Sequence, residues 1–157
     1  MADAPSSRQP GVVAEPLRAY NFMLAIAGQG RSYFTEVSGL GVRVANIAYR
    51  EGGRLSVVRA LPGQVSYSPV VLRYGLSEDH DLWDWLMSAA NGQPIRNSVE
   101  ISVLDNTGAQ ESVAWELARA WPTEWLGAPL RSMTSELAID TLVLAHEGIT
   151  RRPIAAG

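Results

Sequence analysis

Cysteine and lysine are both missing from the 157 residues. Without cysteine, disulfides and thiolate metal sites are excluded, and folding in a reducing cytosol is compatible. All 13 basic side chains are therefore arginine. We read that first as a base-composition bias of the source genome and second as a preference for bidentate pairs at interfaces. Long apolar runs are missing too. No stretch reaches the ~18 apolar residues that a membrane-spanning helix needs. The opening MADAPSSRQPGVVAEPLR has no apolar central segment, so no secretory signal is expected there. A strong charge of either sign is also absent. The net charge is −3, which gives no electrostatic reason to expect a nucleic-acid surface.

Catalytic patterns are thin as well. VSGLG at 37–41 is not a nucleophile elbow, because the glycine two places before the serine is missing. Gly28-x-Gly30 lacks the third glycine and the following helix of a dinucleotide site. His80 sits among Asp79, Asp81 and Asp84. That set could hold a divalent ion, but acids in the first turn of a helix are already explained by the helix dipole. His146 beside Glu147 could be a general base pair, yet no third group orients it. The expectation is a protein with no catalytic residues, no cofactor and no metal. An enzyme built on His80 remains a distant rival.

What the chain does contain is apolar alternation. The apolar fraction of 46% supports a real core, and the length suits one domain. Residues 1–18 are rich in Ala, Pro, Ser and Gln and read as a flexible arm. Period-two patterns mark strands over 20–27, 32–38, 42–49, 68–75, 98–105, 111–121 and 136–147. Gly28-Gln29-Gly30 and Asn106-Thr107-Gly108 are the turn signals. A single helix is expected over about 78–91. Ser77 would be its cap, Leu82, Trp85, Leu86 and Ala89 its apolar stripe, and Asn91-Gly92 its end. Residues 122–134 read as a connector, and a polar tail is expected to begin near Thr150, with 152–157 beyond a domain of 19–151. The fold class is mainly β: a small antiparallel barrel or sandwich with one flanking helix.

Two stretches do not fit a self-sufficient barrel. The strand at 136–147 (ELAIDTLVLAHE) is apolar on both faces, with Leu142, Leu144 and His146 on the second. An antiparallel strand normally keeps one wet face, so those three residues are expected at a subunit interface. The segment from Tyr49 to Gly63 has turn residues at both ends and little periodicity inside, and it is long for a hairpin loop. Of the five tryptophans, Trp85 falls on the helix stripe, and Trp115 and Trp121 fall with Val113 and Leu117 on one strand face. Trp83 and Trp125 are freer and are candidates for contact with another chain. The small residues Ala114, Ala118 and Ala120 suit either a lumen wall or close sheet packing.

Several strings together resemble one family. They are YREGG at 49–53 with LPG at 61–63, VSGLG at 37–41, DLWDW at 81–85, and AWPTEW at 120–125 followed by ELAIDTLVLAHEGI at 136–149. Their order and spacing are similar to those of tail tube proteins of contractile phages and inner tube proteins of contractile injection systems. The resemblance runs from about Tyr20 to Arg151. It implies a small barrel flanked by a helix, similar in fold to the type VI secretion tube protein. It also implies six copies in a ring, rings stacked into a hollow tube, and a structural role. The implied partners are other copies of the chain, a contractile sheath protein, baseplate and spike proteins, and an effector protein or DNA as cargo in the lumen. Assembly would occur in the cytoplasm, within a virion tail or an injection particle. By the same resemblance, Tyr49, Arg50, Glu51, Gly52, Gly53, Arg54 and Arg59 form the loop through which rings stack. The rival reading is a monomeric barrel that binds carbohydrate or peptide through exposed tryptophans.

Overall fold

The computed structural model describes residues 21–32, 34–50, 52–53 and 58–153. Ten strands and one helix follow in the order β1 (Phe22–Ile26), β2 (Gly30–Ser32), β3 (Glu36–Ser38), β4 (Val42–Arg50), β5 (Val58–Tyr67), β6 (Val70–Gly75), α1 (Asp81–Ala90), β7 (Asn97–Leu104), β8 (Glu111–Leu126), β9 (Ile139–Ala145) and β10 (Gly148–Pro153). Every pairing is antiparallel. The expected fold class therefore holds, as a sandwich-like, unclosed arrangement.

One long strand joins the layers. The first part of β8 lies between β7 and β10, while its last part pairs with β9. This produces one layer of β2-β1-β7-β8-β10 and a second of β8-β9-β6-β3. Leu24, Ile26, Val99, Ile101 and Leu117 from the first layer meet Val70, Leu72, Leu142 and Leu144 from the second. Trp85 of α1 completes this core, its indole N–H donating to the carbonyl of Ile95 at 2.7 Å.

The switch within β8 has a local cause. Arg119 has φ +50°, a left-handed conformation that is rare away from glycine. It breaks the alternation, so that Leu117 and Ala120 both point into the core. Trp121 then leaves the face it was expected to share with Trp115, and the Arg96 guanidinium lies 5.8 Å from its ring centroid. Pro122 to Leu126, expected in a connector, continue the strand. Pro122 is tolerated because a register shift falls between it and Glu124, and bulges are where a sheet accepts proline.

Other boundaries moved for similar reasons. The strand expected over 32–38 is two short strands, one paired with β1 and the other with β6. The helix begins at Asp81 rather than near 78. Ser77 does not cap it: its hydroxyl accepts from the N–H of Asp79, and the Asp79 carboxylate accepts from the N–H of Asp81. Thr150, expected to open a polar tail, sits in β10 opposite Glu116. Its strand is anchored by the ion pair of Arg152 with Glu116. The expected arm at 1–18, like Tyr20, lies outside the described residues.

The largest correction concerns β9. Its second face is not an unfilled interface, because Leu142 and Leu144 are 0% exposed within the single chain. The two-sheet packing covers them, which the strand pattern alone did not reveal. Leu137, just before the strand, is 84% exposed. Replacing Leu142 with Ala should cost about 3 kcal/mol in urea unfolding, since it leaves a cavity in a packed core. Leu137→Ala should change the same curve by less than about 0.5 kcal/mol.

Candidate assembly interface

Strands β4 and β5 pair only with each other among the described residues. They continue the β3–β6 ladder outward. That ladder runs from Glu36↔Arg73 to Ser38↔Val71, and pairing resumes at Val42↔Tyr67. Between the two lies Gly39 with φ +86°, where an added Cβ would stand 2.2 Å from the Pro69 carbonyl oxygen. Only glycine fits this close crossing of two backbones. The Ser68 N–H donates to the Gly41 carbonyl at 3.1 Å and restarts the ladder.

The stretch expected as an irregular loop is therefore mostly a ribbon, in which residues 58–67 form a full strand. Its proline and glycine masked the pattern. Pro62 pairs with Asn46 beside a register shift, where β5 spends one more residue than β4. Both faces of the ribbon carry apolar side chains. Val44 and Val65 face one another, as do Ile47 and Leu61, yet Val44 and Ile47 are each 52% exposed. A lone two-stranded sheet is marginal in water. A contiguous exposed apolar surface of this kind marks an interaction site.

Of the residues expected to stack rings, Tyr49 and Arg59 are directly opposite each other near the ribbon tip, and Arg50 ends β4. Gly52 and Gly53 form the turn beyond them. Glu51 and Arg54 lie outside the described residues.

The residues expected at a subunit interface divide three ways. Leu142 and Leu144 are core, as above. His146 is tied into its own chain at the root of the ribbon. Its Nδ1 is 3.0 Å from the Gly148 carbonyl and its Nε2 is 3.0 Å from the Ser68 carbonyl, with the Tyr67 ring 5.4 Å away. Trp83 and Trp125 meet edge to face, with ring centroids 5.0 Å apart. They line one side of a cavity of about 800 Å³ whose other walls include Phe34, Tyr74, Asp79, His80 and Asp140.

Chemistry at this cavity is limited. Asp140 accepts the Ala128 N–H at 2.9 Å. The Tyr74 hydroxyl is held above its usual range, first by burial and then by the Asp140 charge, with a hydrogen bond from Trp125 acting in the opposite direction. His80 sits at the head of α1 without capping it. Among the described residues, no three His, Cys, Asp or Glu side chains gather where an ion could be held. The tryptophans do not form one sugar-stacking platform. Trp85 is core, Trp115 is partly buried against the core with Arg151 over its ring, and Trp121 lies beside Arg96. Also among the described residues, no helix is long and apolar enough to cross a membrane.

Among the described residues, the chain is an open sandwich with a protruding apolar ribbon and edge strands paired on one side only, features of a subunit built to associate rather than to catalyse. The sequence profile of the T4-like virus tail tube protein gp19 matches residues 18–150. The chain belongs to this family of tail tube proteins, and it is not an enzyme. A search of curated proteins returns no match. Among solved structures, a chain of the PVC sheath-tube complex, an extracellular contractile injection system in the extended state, is 24% identical. That alignment covers 90% of this chain and 95% of that one, with a TM-score of 0.81. A chain of the anti-feeding prophage cap, the tube-terminating cap, is 23% identical over 91% and 95% of the two chains, with a TM-score of 0.82. Hcp1 from Flavobacterium johnsoniae is more distant, at 10% identity over 83% and 93% and a TM-score of 0.52. At these identities the likeness is one of fold.

Because folding raises the Tyr74 pKa, the neutral phenol is the form the native state favours. Its contribution to stability is fully present below the ordinary value of 10.0 and is lost as pH rises through the higher folded value. Alkaline titration followed by phenolate absorbance should show a component ionising above the ordinary value that is missing from Tyr74→Phe. In Asp140→Asn that component should move down while staying above the ordinary value, since burial is the larger cause.

Proposed function

We propose that the chain is the repeating subunit of the inner tube of a contractile phage tail or contractile injection particle. Six copies form a ring, rings stack, and the hollow centre carries an effector protein or DNA. The observation that carries this reading is the ribbon: two long strands, apolar on both faces, half exposed, and, among the described residues, held to the body only at their root. Free energy for assembly comes from burying these faces against neighbouring copies, so folding and association are coupled.

Strand edges add a second source. Among the described residues, β10 has a partner on one side only, as do β2 and β3. Unpaired edges are liabilities that natural proteins cover or join. A ring that pairs such an edge with the next copy removes the liability, and its symmetry repeats the contact without a free end. The exposed residues at the tip, Tyr49, Arg50 and Arg59, contact the following ring. Trp83 and Trp125 lie at a surface that a second copy covers.

The outer wall of the tube meets a contractile sheath, and its end meets a baseplate and spike. The sheath-tube complex, baseplate and cap among the solved relatives support these partners. Assembly takes place in the cytoplasm before the particle acts.

Val44→Glu puts a charge on the ribbon without touching the packed core. It should leave the far-ultraviolet spectrum and monomer folding intact while abolishing rings and tubes in negative-stain micrographs. Wild-type protein that stays monomeric at high concentration, even with a baseplate fraction added to nucleate it, would refute the tube reading.

A further inference from the structure

The geometry points to a specific receptor for the ribbon tip: the aromatic cavity between α1, β6 and the end of β8 accepts Arg50 of a second copy in the next ring. This rests on the tube reading above and supplies the acceptor that it leaves open.

Three observations converge. The first is position. The cavity takes Phe34, Thr35, Tyr74 and Gly75 from one end of the paired ladder formed by β3–β6 and β4–β5. The tip, at Arg50↔Val58, is the other end of that ladder. A contact joining opposite ends of identical subunits is head-to-tail and extends without closing on a dimer. Such a contact builds a stack.

The second is charge. Residues 42–67 contain four arginines and one glutamate, whereas residues 77–84 at the cavity mouth contain four acids and no arginine. Asp79 and Asp140 line the cavity itself. Opposite potentials of this kind orient the encounter and reject the reversed arrangement, in which like charges would face each other.

The third is the lining. A guanidinium is recognised by an aromatic face together with a carboxylate. The chain already uses this chemistry within its own fold at Arg96, which lies over Trp121 and pairs with Glu147, and it sets a second guanidinium, Arg151, over the ring of Trp115. At the cavity, the Trp83–Trp125 pair and the Phe34–Tyr74 pair, the latter with centroids 5.8 Å apart, supply aromatic surfaces beside two carboxylates. Trp83, one of the lining residues, is 41% exposed. The cavity volume of about 800 Å³ is ample for an arginine side chain.

The absence of cysteine makes the test clean. Wild-type tubes are first confirmed by negative-stain microscopy. A double variant, Arg50→Cys with Asp79→Cys, is then treated with a short bis-maleimide. The expected product on denaturing gels is a ladder of chain multiples that continues past a single ring, with neither single variant producing it. In parallel, Arg50→Glu and Asp79→Arg should each raise the protein concentration needed for tubes by about tenfold, equivalent to ~1.4 kcal/mol per contact. Combining the two reversals should recover most of the loss. Tubes that assemble unchanged in either single reversal overturn the docking, as does a double-cysteine tube that gives no ladder. Cross-linking of Arg50→Cys to Met133→Cys in place of Asp79→Cys also overturns it, by moving the tip to the connector. In each of these cases the tube reading stands. Failure of the wild-type chain to stack overturns the tube reading itself.

Discussion

A two-stranded ribbon cannot bury both of its own faces. Each strand of the β4–β5 pair satisfies half of its backbone groups through the other, and the apolar side chains above and below are left to water. Among the described residues, no other element folds back to cover them, because the two layers are already spent on each other. Trp85 from the helix and the leucines of β1, β6, β8 and β9 close the core without any contribution from the ribbon. In the tube reading, self-association completes this unfinished projection on a self-contained body.

The body itself depends on a single long strand. Joining two sheets through β8 requires a place where inward and outward faces exchange, and that place is Arg119. The strain there is offset by what it positions. Arg119 and Arg96 both pair with Glu147, at 2.8 and 2.6 Å, so the switch point, the loop before β7 and the β9–β10 turn are held together. These pairs are exposed and each contributes little alone. Their value lies in fixing geometry around a backbone conformation that few residues adopt.

Charge is segregated along the molecule. Arginines gather on the ribbon and acids at the head of α1, so the ends of the β3–β6 and β4–β5 ladder differ in sign. Coulomb attraction between exposed groups is weak and salt-screened. Its effect on assembly is therefore more on orientation than on strength. In the proposed stack, apolar burial drives the association and charge decides which end meets which.

Much of this was legible in the residues. Alternation located β1, β4, β6, β7 and most of β8 and β9, because a strand with one dry face writes period two into the sequence. Glycine and proline hid β5, since a bulge spends residues that break the count. The acids before Asp81 suggested an earlier helix start, although they form turns instead. Ser77 could not reveal this, because the same residue types serve both purposes. The order of short motifs led to the tail tube family. Composition and local pattern thus determined the strand-rich class and the one amphipathic helix, while the role expected of the ribbon tip came from the family resemblance. Tertiary structure alone decided that Leu142 and Leu144 are core, that Trp83 and Trp125 share one cavity, and that Trp121 points away from Trp115. The reason is physical: a strand's pattern shows that a face is covered, but which surface covers it depends on chain segments far away in sequence and on one backbone torsion at Arg119.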